Sequence, residues 1–162
     1  MNKVIFLVVL NLILALFQDS FLPVLLGASF APNLIFAYAY SFTLLGLKDT
    51  SYLSLFIGGV LLDLLGLPVL GTSSAVFIIL LTFSHLLNKY LLQGFSLHLI
   101  SCVGAHILYL YVVNGFSVSW SLSLLFGGLF TLGLSFIFSF INKKTLFRII
   151  DSSYIQLKFK NL

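Results

Sequence analysis

The chain has 162 residues, of which 60% are hydrophobic and 7% are charged, and it carries a net charge of +4. Soluble domains contain about 25% charged residues, and a chain of this size cannot bury so much apolar surface in an interior of its own. The composition therefore excludes an ordinary soluble domain and predicts a single-domain, all-α integral membrane protein. In such a protein the basic excess reports topology, so membrane lipid is the expected partner and nucleic acid is not.

Six apolar stretches follow one another along the chain: 4–17, 33–47, 52–66, 72–87, 97–113 and 120–141. Several are shorter than the roughly 20 residues that a spanning helix needs. Their flanks are mostly uncharged and can extend the helices, and tilt or bilayer thinning can absorb the remaining mismatch. We therefore predict six transmembrane helices joined by short loops.

The basic residues support this count. With the N-terminus inside, the cytoplasmic loops and tail receive all eight Lys and Arg residues: Lys3, Lys48, Lys89, Lys143, Lys144, Arg148, Lys158 and Lys160. The outer loops, around Asp19, at 67–71 and at 114–119, receive none. Short loops obey the positive-inside rule, so both termini are predicted to be cytoplasmic. Residues 1–142 would form the transmembrane domain and residues 143–162 a cytoplasmic basic tail.

Each end of the chain admits a second interpretation. Residues 4–17 could be the apolar region of a signal peptide cleaved after Ala31, although Pro32 after the cut and the acidic Asp19 are unfavourable for this. Apolar residues recur at near-helical spacing among the basic residues of the tail. The tail is therefore a basic amphipathic helix on the cytoplasmic leaflet, a frayed topology anchor, or a docking site for a cytoplasmic protein.

The third apolar stretch contains a carboxylate, Asp63, with no Lys or Arg near it in sequence. Tyr52, Phe56, Gly59, Asp63 and Gly66 share one helical face by their spacing. An aspartate turned towards lipid would cost several kcal/mol, so we expect Asp63 to point into the bundle.

Three roles for Asp63 are open. The tight turn ending at Gly71 leads to Thr72 and Ser73 at the start of the next helix, whose free N–H groups and hydroxyls could satisfy the carboxylate. Asp63 would then hold the third and fourth helices together. The carboxylate could instead contact a membrane helix of a partner, or serve as a proton or cation site.

Small residues line one face of the sixth stretch. They are four residues apart, a spacing that allows close helix contact in lipid: Ser123, Gly127, Thr131, Ser135 and Ser139. We predict that this face packs tightly within the fold, with a partner helix as the alternative.

No catalytic or metal-binding pattern is found in the sequence. His98, Cys102 and His106 share a face of the fifth stretch, but the two histidines lie about 12 Å apart along the axis and cannot bind one ion. With His85 in the fourth stretch, they are expected to form interhelical hydrogen bonds. No nucleophile–base pair, phosphate loop or zinc signature appears, so we predict a protein that is not an enzyme and uses no cofactor or metal.

Several of these features together resemble the rod shape-determining protein MreD family. They are "FQDSFLP" at the end of the first stretch, "PNL" from Pro32, the segment Gly59-Val60-Leu61-Leu62-Asp63 that matches the family's G-L-x-x-D pattern, and then Gly66 and Leu70-Gly71. Val60 replaces the commoner Leu. Length, hydropathy and the short basic tail also fit, whereas the specific motif covers only residues 32–71.

The resemblance implies a non-catalytic, multi-pass component of the bacterial inner membrane. Such proteins are thought to organise cell elongation and peptidoglycan synthesis with the bitopic protein MreC, the MreB filament, and RodA with its penicillin-binding protein. The family also looks distantly like the substrate-binding membrane components of ECF vitamin transporters. A transporter component is therefore the alternative function.

Overall fold

A computed structural model describes the backbone of residues 3–27, 30–66, 69–90, 95–113 and 122–159, and the side chains of residues 4–27, 30–66, 69–86, 98–111 and 125–144. In these ranges the regular structure is entirely helical. The helices are α1 (Lys3–Leu16), a π-helical turn (Phe17–Phe21), α2 (Leu22–Leu26), α3 (Leu34–Leu44), α4 (Lys48–Gly66), α5 (Thr72–Tyr90), α6 (Phe95–Val113) and α7 (Leu122–Phe159). Because α1, the π-helical turn and α2 are continuous, these elements form six helical segments, as the sequence predicts.

The first segment is longer than predicted. The sequence placed its end at Gln18 and Asp19, but the chain remains helical to Leu26 through the π-helical turn. The prediction was wrong because it treated Gln18 as a loop residue. Its side chain is instead buried, and its Oε1 accepts a hydrogen bond of 3.0 Å from the backbone N–H of Ile35 at the start of α3. This hydrogen bond offsets the cost of burying the amide oxygen of Gln18, so the residue can remain within the helix.

Helix α3 lies at the centre of the bundle. Every residue from Leu34 to Phe42 is buried, including Tyr38 and Tyr40, and the helix packs against α4 and α7, with further contacts to α1 and α6. A helix that is apolar on all sides is suited to such a position. With 11 residues it is only about 16 Å long, shorter than the predicted stretch 33–47.

The remaining helices surround α3. Neighbours in the chain pack together from α3 to α7, α7 closes onto α3, and α1 packs against α4. Side-chain pairs give the helix directions: α1 runs parallel to α4, since Asn11 bonds Ser54 and Asp19 lies against Gly66. Helix α3 runs parallel to α7, because the pairs Asn33–Thr131 and Ser41–Asn142 keep the same order.

Successive helices α3 to α7 are antiparallel. Thr43 bonds Ser51 at one end of the α3–α4 pair, and Asp63 bonds Ser73 at the opposite end of the α4–α5 pair. The ends of the helices that carry Lys48 and Lys143 therefore lie on one side of the bundle, and the Asp63 end lies on the other.

Three helical segments in the described part of the chain are long and apolar enough to cross a membrane: Val4–Leu26, Lys48–Gly66 and Leu125–Lys144. Helices α5 and α6 also have 19 residues each. Helix α7, with 38 residues, is about 57 Å long, almost twice the roughly 30 Å thickness of a hydrocarbon core. It continues into the predicted tail without a break at residue 143. The side chains beyond Lys144 lie outside the described residues, so the amphipathic tail stays a prediction.

Two neighbouring glycines of α4 allow close helix contact on two different sides. A Cβ atom at Gly58 would lie 2.5 Å from Cγ2 of Ile35, and one at Gly59 would lie 2.6 Å from the main-chain N and Cα of Ser74. Real Cβ atoms do not approach other heavy atoms so closely. Glycine at 59 therefore sets the separation of the backbones of α4 and α5.

We expect Gly59→Ala to destabilise the bundle by about 1–3 kcal/mol, because the new methyl group meets backbone that cannot rotate away. The matched control is Gly104→Ala in α6, where an added Cβ meets no atom within 4 Å. The thermal unfolding of both variants in the same detergent provides the measurement. Equal melting temperatures for the two variants would contradict this account of Gly59.

Candidate functional site

Asp63 forms the best-satisfied polar site of the described structure. Its Oδ2 accepts hydrogen bonds from the backbone N–H of Gly71 at 2.7 Å and of Ser73 at 3.2 Å. Its Oδ1 accepts from the N–H of Ser73 at 3.0 Å and from the Thr72 hydroxyl at 3.3 Å. The side chain is 3% exposed. We call these four residues the Asp63 corner.

The local sequence explains this geometry. The first N–H groups of a helix have no partner within it and carry partial positive charge, which favours a carboxylate. Asp63 thus caps α5 from the preceding helix, whereas a capping residue is normally the one immediately before the helix that it caps. Gly71 has φ = +95°, a conformation that side-chain-bearing residues rarely adopt, and this directs its N–H towards Asp63.

The contacts of the Asp63 corner bear on the three roles predicted from sequence. All described hydrogen bonds of the carboxylate are with α5 or the residue before it, and both oxygens are used. Because Asp63 is buried, a partner helix could reach its carboxylate only by displacing α5. The geometry therefore favours the role in holding α4 and α5 together.

The other predicted residues of this face lie beside the Asp63 corner. Gly59 is one turn away, in contact with Ser74, whose hydroxyl donates a 3.1 Å hydrogen bond to the carbonyl of Phe56. Gly66 does not face α5. A Cβ there would lie 2.8 Å from Oδ1 of Asp19, so Gly66 makes room for the first helical segment.

Pro32 is buried and precedes the N-cap of the central helix. The side chain of Asn33 accepts a 2.9 Å hydrogen bond from the N–H of Phe36, which is an ordinary N-cap contact. The backbone N–H of Asn33 donates to the hydroxyl of Thr131 at 2.9 Å. The "PNL" segment thus starts α3 and ties it to α7.

The predicted small-residue face of α7 lies partly inside the bundle. Gly127, Thr131 and Ser135 are buried, and Ser135 donates to the carbonyl of Leu132. Ser123 lies in α7, but its side chain is outside the described residues. Through Thr131 this face packs on α3.

A close approach of α7 to α6 uses a glycine that the sequence prediction missed. A Cβ atom at Gly128 would lie 2.7 Å from the Cα of Val103. Gly128 lies outside the four-residue spacing, and only its Gly-Gly neighbour Gly127 was selected. Two adjacent glycines give a helix two close faces, a signal that the spacing rule does not include.

The histidines act as interhelical contacts where the structure describes them. His98 Nδ1 lies 2.9 Å from the hydroxyl of Tyr40, and the ring of His85 lies tilted beside that of Tyr52, with centroids 5.9 Å apart. Cys102 is fully buried. Among the described residues no group of three His, Cys, Asp or Glu side chains could hold a metal ion.

A cavity of about 330 Å³ lies at the end of the bundle opposite the Asp63 corner. Its described lining comes from α3, the turn after it, and the ends of α4, α5 and α6: Tyr40, Thr43, Leu44, Gly46, Lys48, Ser84, His85 and His98. The sequence did not predict this cavity, because its residues are brought together only by the packing of four helices.

Comparison of the chain with models of protein families, with curated proteins and with solved structures found no match.

We expect Asp63→Asn to lower the free energy of unfolding by about 3 kcal/mol, because a neutral amide accepts weaker hydrogen bonds and turns an N–H group towards the donors of α5. Asp49→Asn is the control, since Asp49 is an exposed carboxylate in the first turn of the same helix, and its change should stay within about 0.5 kcal/mol. Thermal unfolding in detergent measures both. An Asp63→Asn protein as stable as the unaltered chain would show that the Asp63 corner is not structural.

Proposed function

We propose that the chain is a non-catalytic membrane component of the bacterial cell-elongation complex, which organises peptidoglycan synthesis together with an MreC-like bitopic protein. An MreB-like filament and a RodA/penicillin-binding protein pair would be reached directly or through that partner. The observation that carries the proposal is the structural role of the motif residues in segment 59–73. The residues that resemble the family's specific pattern join α4 to α5, and both oxygens of Asp63 accept hydrogen bonds from the start of α5 or the residue before it.

The shape of the described protein suits a role in assembly. The bundle turns large apolar side chains outward along α1 and α7, including Phe130 and Phe140, where lipid or partner helices can contact them. The described loops are short turns with no separate domain that could bind a partner in water. Recognition would therefore use helix faces, turns and the basic tail.

We further propose that all six helical segments lie in the bacterial inner membrane with both termini in the cytoplasm. One observation supports this orientation. The basic residues Lys48 and Lys143 lie on one side of the antiparallel bundle, and Asp63 lies on the other. Cytoplasmic loops attract Lys and Arg, so the Lys48 side would face the cytoplasm.

The alternative function is a substrate-binding component of a small-molecule transporter. The cavity at the Lys48 end is the observation that favours it. Under the proposed orientation, however, this cavity lies on the cytoplasmic side, whereas a component that captures nutrients would need a site reached from outside.

Depletion of the protein in its bacterial host tests the two functions. We expect rod-shaped cells to become round, and the tagged protein to co-purify with a bitopic MreC-like protein. Production of the Asp49→Asn variant should restore rods, and production of the less stable Asp63→Asn variant should restore them only in part. Cells that stay rod-shaped, together with co-purification of an ATPase module, would instead support the transporter.

A further inference from the structure

The cavity at the Lys48 end has a buried polar floor and an exposed rim. Tyr40 and Ser84 are 1% and 3% exposed, whereas Gly46 and Lys48 at the rim are exposed. The floor therefore lies inside the bundle, and the rim reaches its surface at the first residue of α4. In a membrane this level corresponds to the zone of lipid headgroups beside the hydrocarbon core.

The described lining carries a positive charge and no negative charge. It contains the ammonium group of Lys48, the imidazoles of His85 and His98, and the hydroxyls of Tyr40, Thr43 and Ser84, and it contains no carboxylate. Ammonium, imidazole and hydroxyl groups can all donate hydrogen bonds, and Lys48 is positively charged. Such a lining is complementary to an oxyanion.

His85 supplies the most specific observation. Its Nε2 atom is shielded from solvent and has no hydrogen-bond partner among the described residues. Leaving a buried ring nitrogen without a partner costs free energy, which an acceptor atom of a ligand would recover. His85 lines the cavity that Lys48 borders, so an anion there could accept from Lys48 directly and from His85 once its ring turns the shielded nitrogen towards the cavity.

The opposite wall is held in place by hydrogen bonds between helices. The Tyr40 hydroxyl lies 2.9 Å from Nδ1 of His98, and the hydroxyls of Ser84 and Ser101 bond each other. When Tyr40 donates to Nδ1, the ring proton of His98 is on Nε2, the other nitrogen, which is then a further donor. These contacts hold side chains of α3, α5 and α6 in place before any ligand arrives and leave the Nε2 N–H of His98 as the donor for a ligand.

We propose that this cavity binds a phosphate group, with Lys48 and His85 as the principal donors and His98 as a third. The volume of about 330 Å³ is at the small end of the range for small-molecule sites, which suits a phosphate-bearing headgroup or a free phosphate. Phosphate oxygens accept several hydrogen bonds at once and carry the negative charge that Lys48 favours. The proposal concerns a site separate from the Asp63 corner and does not rest on the role in cell elongation.

Two probes distinguish the sources of the phosphate. The purified full-length protein in an uncharged detergent is titrated with inorganic phosphate and, separately, with phosphatidylglycerol, and binding is followed by thermal stabilisation and by native mass spectrometry. Stabilisation by inorganic phosphate assigns a free phosphate. Stabilisation by phosphatidylglycerol alone assigns a lipid headgroup, and either result supports the site.

The variants Lys48→Gln and His85→Phe should each weaken binding of the effective probe about tenfold, because the first loses the positive charge at the rim and the second loses the ring N–H. Lys144→Gln is the matched control, since it removes one positive charge from an exposed position of α7 outside the cavity lining, and it should bind within about twofold of the unaltered chain.

Melting temperatures without probe establish that each variant is folded, and His85→Phe keeps the test valid if Lys48→Gln is unstable. The proposal is overturned if neither probe stabilises the protein, if the folded variants bind like the unaltered chain, or if Lys144→Gln weakens binding as much as they do.

Discussion

The contact of Asp63 with the start of α5 is the constraint on which the arrangement of α4 and α5 depends. A carboxylate in an apolar bundle must find hydrogen-bond donors, and a helix N-terminus provides them with favourable charge. Meeting this need requires the positive φ of Gly71 and brings Ser74 against Gly59, where no side chain fits. One buried charge thereby fixes the turn, the register and the separation of the two helices.

The central helix α3 is fixed by the same means at both ends. At its start, Gln18 of the first helical segment and Thr131 of α7 complete the hydrogen bonds of Ile35 and Asn33. Near its end, Asn142 of α7 donates to the hydroxyl of Ser41. In lipid the apolar surfaces of helices do not distinguish one neighbour from another, so such polar contacts select the partners and their register.

The two ends of the bundle differ in whether their polar groups have hydrogen-bond partners within the protein. At the Asp63 corner the acceptors are all occupied by donors of the protein, which suits a structural joint. At the Lys48 end the cavity brings together donors, one of them buried without a partner among the described residues. Under the proposed function, the chain would be rigid on one side and responsive to anionic molecules on the other.

The sequence by itself determined the helical class and the approximate positions of six segments, and it offered the start of the next helix as one of three candidate partners of Asp63. Apolar periodicity, loop charge and the free N–H groups after a tight turn are local properties that can be read from neighbouring residues. It did not determine that Gln18 stays inside a helix, that Gly66 faces Asp19, that Gly128 is the contact with α6, or that Lys48, His85 and His98 share a cavity. Only tertiary structure decided these, because each depends on which helices become neighbours, and residues far apart in the chain contribute both sides of every such contact.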